Sequence, residues 1–328
     1  MRKAIRGLTT AASGLLLLGS VTVVSAQQWN IPTRNGESNY FTQNIAEFAK
    51  EIESATSGKL KLVIHPEDSL FKQPDVKRAV QTGQVQMGEI LMSLHGNENR
   101  LFEIDSIPFL TTSLEESARL LALSREKIAA ALDRQGVRLL FVAPYAPNAF
   151  FTKGTLQSTA DLKGVKFRAF NTTTARLAEL MGATPVTVQQ SEVSQAFSTG
   201  VIQAMITAPA TGVDTQAWDF VKNYYAVNAM ITWNIVIANK RAFDRLDAQT
   251  QKAVLDASAK AEKRVWAQVP EISRKLVGVL QDNGMTVHQP TDRMKEEFRK
   301  IGDTMADEWV AAAGPEGREI LEAYRAGR

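Results

Sequence analysis

Residues 161–207 read DLKGVKFRAFNTTTARLAELMGATPVTVQQSEVSQAFSTGVIQAMIT, and the spacing of their apolar positions decides the fold class. After the turn signal Lys163-Gly164, Val165, Phe167 and Ala169 alternate with Lys166 and Arg168, the period-two pattern of a strand. Arg168 therefore faces away from its apolar neighbours. Asn171, Thr172, Thr173 and Thr174 offer capping side chains to a helix that carries Ala175, Leu177, Ala178, Leu180 and Met181 and stops at Gly182. The pattern then repeats: residues 184–188 read as a strand, Ser191 caps a helix ending at Gly200, and residues 201–207 are apolar again. This is a βαβαβ unit, because parallel strands need such crossovers. In open parallel sheets ligands collect beyond the carboxyl ends of the strands. Arg168 and Thr207 both sit at such ends, where free helix N–H groups and a guanidinium converge on one anion.

The first 26 residues, MRKAIRGLTTAASGLLLLGSVTVVSA, place Arg2, Lys3 and Arg6 before a short apolar run and finish on Val24-Ser25-Ala26. They read as an export signal cleaved after Ala26, since Gly14, Gly19 and Ser20 interrupt a run already short for a membrane anchor. The segment carries three basic residues and no acidic one, so removing it takes the formal charge of +3 to zero. A neutral, mixed surface lacks the clustered basic footprint that nucleic-acid binding needs, and no nucleic-acid partner is expected. Zero cysteines exclude disulfide scaffolds, Cys-ligated zinc and iron–sulfur clusters. With 328 residues, 44% of them hydrophobic, two domains can each bury a core.

The same α/β alternation runs through the rest of the chain. Residues 40–57 read as an amphipathic helix closed at Gly58, 60–64 as a strand, 74–82 as a short helix ended by Gly83, and 85–91 as a strand. Residues 114–135 look helical, 137–143 form a strand, and Pro144 and Pro147 mark a change of domain. A short amphipathic segment at 218–225 precedes an apolar strand at 231–238 that leads back to the first domain. Residues 247–281 are helical, with Pro270 predicting a kink or break near Ala267. The fold expected is α/β and two-lobed, each lobe a sheet flanked by helices, with that long helix crossing both. Residues 27–146 with about 237–282 make the first lobe, and 147–236 with about 283–328 the second.

Six phrases, in order, carry a resemblance to a known family. DLKGVKFRAF (161–170) resembles a "DLKGxKxR" element, LMGATPVTV (180–188) resembles "LGAxPxxv", and SEVSQAFSTGVIQA (191–204) resembles "xEvyxALqtGvvDg". GKLKLVIHPEDSLFKQPDVKRAVQTGQVQMGE (58–89), SIPFL (106–110) and NKRAFDRLDAQTQKAVLDAS (239–258) resemble other parts of the same family. It is the DctP-like solute-binding subunit of tripartite ATP-independent periplasmic (TRAP) transporters, and the similarity covers nearly all of residues 28–325. The resemblance implies a type II-like periplasmic binding protein, monomeric and without cofactor, that closes on a small carboxylate and delivers it to the small and large permease subunits in the membrane. The family's arginine clamp falls on Arg168. Three positions depart from the pattern. Thr207 stands where many members have asparagine, Gln203 where an aspartate is usual, and residues 144–150 lack the basic residue of members that grip a second acidic group, which disfavours a dicarboxylate.

Around Arg168, the candidate ligand contacts are Thr207, Asn148, Phe170, Asn171, Glu89 and Trp233. Asn148 can bond a ligand or close an Asx turn, and Glu89, late in an apolar strand, can accept from a ligand hydroxyl or cap backbone. Tyr145, Phe150, Phe170, Trp218 and Trp233 adjoin segments expected to border the cleft, so an apolar or aromatic ring is expected at the solute's other end. Enzyme readings lack support. Ser124-Arg125-Glu126-Lys127 spells S-x-x-K but sits late in a charged helix, where it reads as a solvated turn, and its companion motifs are absent. His65, His95 and His288 are too far apart to suggest a metal site or triad. The alternative function is a periplasmic enzyme or sensor-coupled binding protein on the same lobes.

Overall fold

The computed structural model describes residues 26–327, so the export-signal reading falls almost wholly outside the described residues. In chain order the elements are β1 (Gln27–Pro32), α1 (Tyr40–Ala55), β2 (Leu60–His65), α2 (Gln73–Thr82), β3 (Met87–Leu91), α3 (Leu114–Arg134), β4 (Val137–Pro144), β5 (Ala149–Thr152), β6 (Lys166–Ala169), α4 (Thr172–Leu180), β7 (Thr184–Thr187), α5 (Val193–Ser198), β8 (Ala204–Thr207), α6 (Pro209–Asp214), β9 (Asn223–Tyr225), β10 (Trp233–Asn239), α7 (Lys240–Asp244), α8 (Ala248–Asp282), β11 (Thr286–His288) and α9 (Asp292–Ala326). Two 3-10 turns, Met92–His95 and Arg100–Ser106, lie between β3 and α3.

Two small sheets build the first lobe: β1 pairs with β2 in parallel, and β10 lies between β3 and β4, antiparallel to both. The strand at 231–238 thus does lead the chain back to the first lobe. The second lobe is one six-stranded sheet in the order β11-β9-β5-β8-β6-β7. Its β6-α4-β7-α5-β8 portion is the βαβαβ unit expected from 161–207, with β6 parallel to both β7 and β8. Antiparallel β5 joins the far side of β8, pairing Ala149 with Thr207. That register sets Asn148 beside the carboxyl end of β8.

Two backbone segments cross between the lobes side by side, tied by Tyr145 N–H to Thr232 O (2.8 Å), Asn148 N–H to Met230 O (2.8 Å) and Ala229 N–H to Asn148 O (2.9 Å). A buried apolar cluster follows them, from Phe48 and Phe141 through Tyr145 and Phe150 to Phe167 and Phe298. Burying side chains of this size contributes about 1.5–3 kcal/mol each, so the crossing is part of the core. The long helix α8 packs on α1 and β4 in the first lobe and on α6 in the second. It runs through Pro270 as one helix, without the break that was one of the two outcomes expected near Ala267. Val265 and Val269, both fully buried, hold the turns beside the proline against the first lobe, and this packing outweighs one lost backbone bond.

The last helix, α9, was not anticipated. It changes direction at Gly314, whose φ of 71° is left-handed and free of Cβ strain only in glycine, just before Pro315. Residues 283–328, assigned above to the second lobe, include this helix, which touches both lobes: it packs on α4 and also on α3.

Candidate functional site

The crossing segments, the end of β6 and the loop after β1 enclose a small cavity. Arg34 and Leu91 come from the first lobe, Tyr145, Asn148 and Thr232 from the crossings, and Arg168, Phe170, Gln190, Thr207, Ala208 and Thr211 from the second. Its free volume is about 10 Å³, no more than one water needs, so the lining side chains nearly fill it. Four residues singled out from the sequence, Arg168, Asn148, Phe170 and Thr207, meet here.

Arg168 is 2% exposed. Its Nε donates to the Val188 carbonyl at 3.0 Å, and its guanidinium carbon lies 5.4 Å from the centroid of the Phe170 ring. Among the described residues no carboxylate lies within 4.0 Å of it. Burial, then the charge of Arg34, brings its pKa down to about 9, which still leaves it a cation at neutral pH. A buried charge with no close protein counter-ion is costly, and an anion in the cavity would relieve that cost. The rest of the fork is free to bind one bidentately.

Arg34 was missed by sequence reasoning. It lies just past β1, a strand the sequence reading did not identify, within Thr33-Arg34-Asn35-Gly36; a basic residue between an apolar run and an Asn-Gly turn is the only signal that marked it. Its Nη2 donates to Tyr145 Oη at 2.6 Å, its guanidinium carbon is 5.6 Å from that ring's centroid, and its Nε is buried without a partner.

The amide of Asn148 donates to Met230 O at 3.2 Å, leaving its carbonyl oxygen open, and the Thr207 hydroxyl has no protein partner among the described residues. Gln203, standing where the family has an aspartate, accepts from the Lys166 backbone N–H at 3.1 Å, so an amide holds that corner of β6.

The other three candidates lie outside the cavity. Glu89 is 1% exposed and accepts from the side chains of Thr33, Asn35 (3.2 Å) and Asn234 (2.5 Å), while burial raises its pKa. It caps no backbone and does not line the cavity; its charge acts on Arg34. Trp233 is fully buried in the first lobe, its backbone N–H on Asp105 (2.6 Å) and its indole N–H on Ser117 (2.9 Å). A strand end that borders the cleft does not aim every side chain into it. Asn171 caps α4 by accepting from Thr174 N–H at 2.8 Å, and its amide reaches across to Ser93 Oγ at 2.9 Å in the first lobe. Of the other aromatics, Tyr145 lines the cavity whereas Phe150 is core, edge-on to Phe167.

Ser124, the serine of the S-x-x-K spelling, is not on a solvated turn. It is buried on the inner face of α3, and its hydroxyl donates to the Leu120 carbonyl at 2.8 Å. A larger groove of about 280 Å³ runs along α9 past Phe109 and Phe298. Its charged residues are exposed and pair on the surface, as Arg299 does with Asp303 at 3.8 Å, so nothing there demands a ligand.

Comparison with known proteins is consistent with this geometry. The family described as bacterial extracellular solute-binding protein, family 7, matches residues 33–312. Among solved structures, DctP7 of Bordetella pertussis, an extracytoplasmic solute receptor binding pyroglutamic acid, is 48% identical with a TM-score of 0.90, the match covering 92% of this chain and 100% of that one. DctP6 of the same organism, also binding pyroglutamic acid, is 38% identical at a TM-score of 0.90, with the same coverage. A marine-metagenome TRAP solute-binding protein specific for pyroglutamate is 35% identical at a TM-score of 0.89, covering 92% of this chain and 99% of that one.

Proposed function

Because this chain belongs to family 7 of the bacterial extracellular solute-binding proteins, we propose that it captures a small cyclic monocarboxylate of the pyroglutamate kind, with Arg168 taking the carboxylate. It is a TRAP solute receptor for small organic acids, and it carries its solute without transforming it. The observation that carries the finer reading is the Arg168 guanidinium, buried without a counter-ion in the small cavity between the lobes. The similarity to three pyroglutamate receptors favours a compact lactam over the aromatic ring expected from the sequence.

Physically, a planar fork makes two parallel charge-assisted bonds to a carboxylate, and closing the lobes excludes the water that would screen them. Phe170 offers the solute an apolar face, the open carbonyl of Asn148 an acceptor for a ring N–H, and the hydroxyls of Thr207 and Thr232 further single bonds. We assign the protein to the periplasm, after removal of the leading segment, with a two-subunit membrane permease as its partner. The moving units are the two lobes, with all of β10 in the first, so that the boundary drawn near residue 236 falls too late, and with α9 resting on both.

Calorimetric titration with L-pyroglutamate, L-proline, succinate and D-glucuronate tests this reading. L-Pyroglutamate should bind tightest and return with unchanged mass. Preference for the uronate, or no heat with any acid, would refute it.

A further inference from the structure

Two guanidiniums, not one, line the cavity, and they stand on opposite lobes. We propose that Arg34 is the second anion-recognising group of the cleft, so that the solute's carboxylate lies between Arg34 on the first lobe and Arg168 on the second, its charge holding the lobes together. This rests on the reading of the cleft as a carboxylate site.

Neither arginine is neutralised by the protein. Among the described residues no carboxylate comes within 4.0 Å of either. The hydrogen-bond partner of Arg34 is the Tyr145 phenol, which burial keeps protonated and therefore uncharged. The buried carboxylate acting on Arg34 from further off is Glu89, already engaged by Thr33, Asn35 and Asn234. Half-buried Asp68, one of whose oxygens is shielded from water, and exposed Asp214 also interact with the charge of Arg34, but neither comes within 4.0 Å of it. Glu89 is the one fully buried carboxylate acting on these guanidiniums, and none contacts either, so a solute carboxylate between them would be their first close counter-ion.

The arginines also feel each other, since the charge of Arg34 disfavours the charged form of Arg168. In the unliganded closed form this repulsion opposes closure, and an anion between them converts it into two attractions. Closing without an anion is then penalised, and a solute of the right charge shifts the population toward the closed form. The buried Nε of Arg34 has no partner, as expected of a donor that waits for a ligand.

The test uses the full mature protein and its Arg34→Gln, Arg34→Lys and Arg168→Gln variants, with L-pyroglutamate and succinate as probes. Affinity is read by calorimetry, unliganded stability by thermal melting, and closure by small-angle X-ray scattering. Arg34→Gln should lose at least roughly 30-fold in affinity for L-pyroglutamate, with Arg34→Lys losing less. Its unliganded melting temperature should equal or exceed wild type, because an uncompensated charge has been removed, and ligand should no longer compact it. A structural brace would behave differently: melting temperature and affinity would fall together, overturning the proposal. Affinity unchanged within about threefold in Arg34→Gln would overturn it too, at the charge-pair magnitudes expected. So would tighter binding of succinate than of L-pyroglutamate, which would put one carboxylate on each arginine. Arg168→Gln abolishing binding while Arg34→Gln does not would sink this inference alone. A wild type that binds no monocarboxylate would sink the proposed function with it.

Discussion

The Asn171 amide donates to Ser93 Oγ at 2.9 Å, so the residue that caps α4, three positions after Arg168, is also a bond between the lobes. Its neighbour Thr172 adds a second, from its hydroxyl to Glu103 at 2.7 Å, and Asn39 bonds Asp214 at 2.9 Å on the α1–α6 side. Because β6 and α4 are consecutive, a solute held by Arg168 as proposed would also position this latch.

Ser93→Ala removes the latch acceptor without touching the helix cap. One hydrogen bond between neutral groups is worth about 0.5–1.5 kcal/mol, so solute affinity should fall by about 2- to 10-fold. The loss should appear as faster dissociation in stopped-flow measurements. Unchanged dissociation would mean that the Ser93 contact does not contribute to the closed state.

Arg168→Ala should weaken binding of the carboxylate by about 2–5 kcal/mol, and Arg168→Lys should recover only part, since an ammonium lacks the planar fork. Titration calorimetry measures both. Full recovery by lysine would mean that charge alone, and not bidentate geometry, holds the solute.

Trp233→Phe should lower stability by about 1–3 kcal/mol, because it leaves a gap and strips the Ser117 hydroxyl of its indole partner. Affinity should stay within about threefold, since the side chain is buried away from the cavity and distant sites act nearly independently. The urea midpoint and a titration on the same sample check the two halves.

Asp105 accepts the Trp233 N–H, yet burial raises its pKa from 3.8 to about 7. A carboxyl that binds its proton more readily when folded stabilises the fold at low pH, and this contribution fades as pH rises through the folded value. The melting temperature should therefore increase as pH falls from about 7 toward 4. Glu89, also raised, acts in the same direction, and His95, which burial lowers, acts oppositely. Melting curves of wild type and Asp105→Asn across that range isolate the Asp105 share. Parallel curves would show that Asp105 does not titrate there.

Local patterns made the second lobe legible. Alternation in Val165, Phe167 and Ala169, the cap at Asn171, and glycines at 182 and 200 act over a few residues and match the β6-to-β8 unit, whereas Ser191, expected to cap the next helix, lies inside a 3-10 turn at residues 190–192 that leads into α5. Arg168 was readable because the same alternation turned it off the core face. The strands β1 and β5 and the helix α9 were not anticipated: β5 is four residues long, and all three are held by partners far away in the chain.

From the sequence alone came the α/β alternation, the family resemblance and the arginine at a strand's end, all written in spacings of two to four residues. Tertiary structure alone decided which side chains share the cavity. It brought Arg34 to Arg168 across more than a hundred residues of chain, and turned Trp233 and Glu89 away into the first lobe. Side-chain direction at a strand end depends on the neighbouring sheet and the lobe packed over it, and a charge is left uncompensated only when every nearby segment is in place. Neither condition is local, so no stretch of sequence records it.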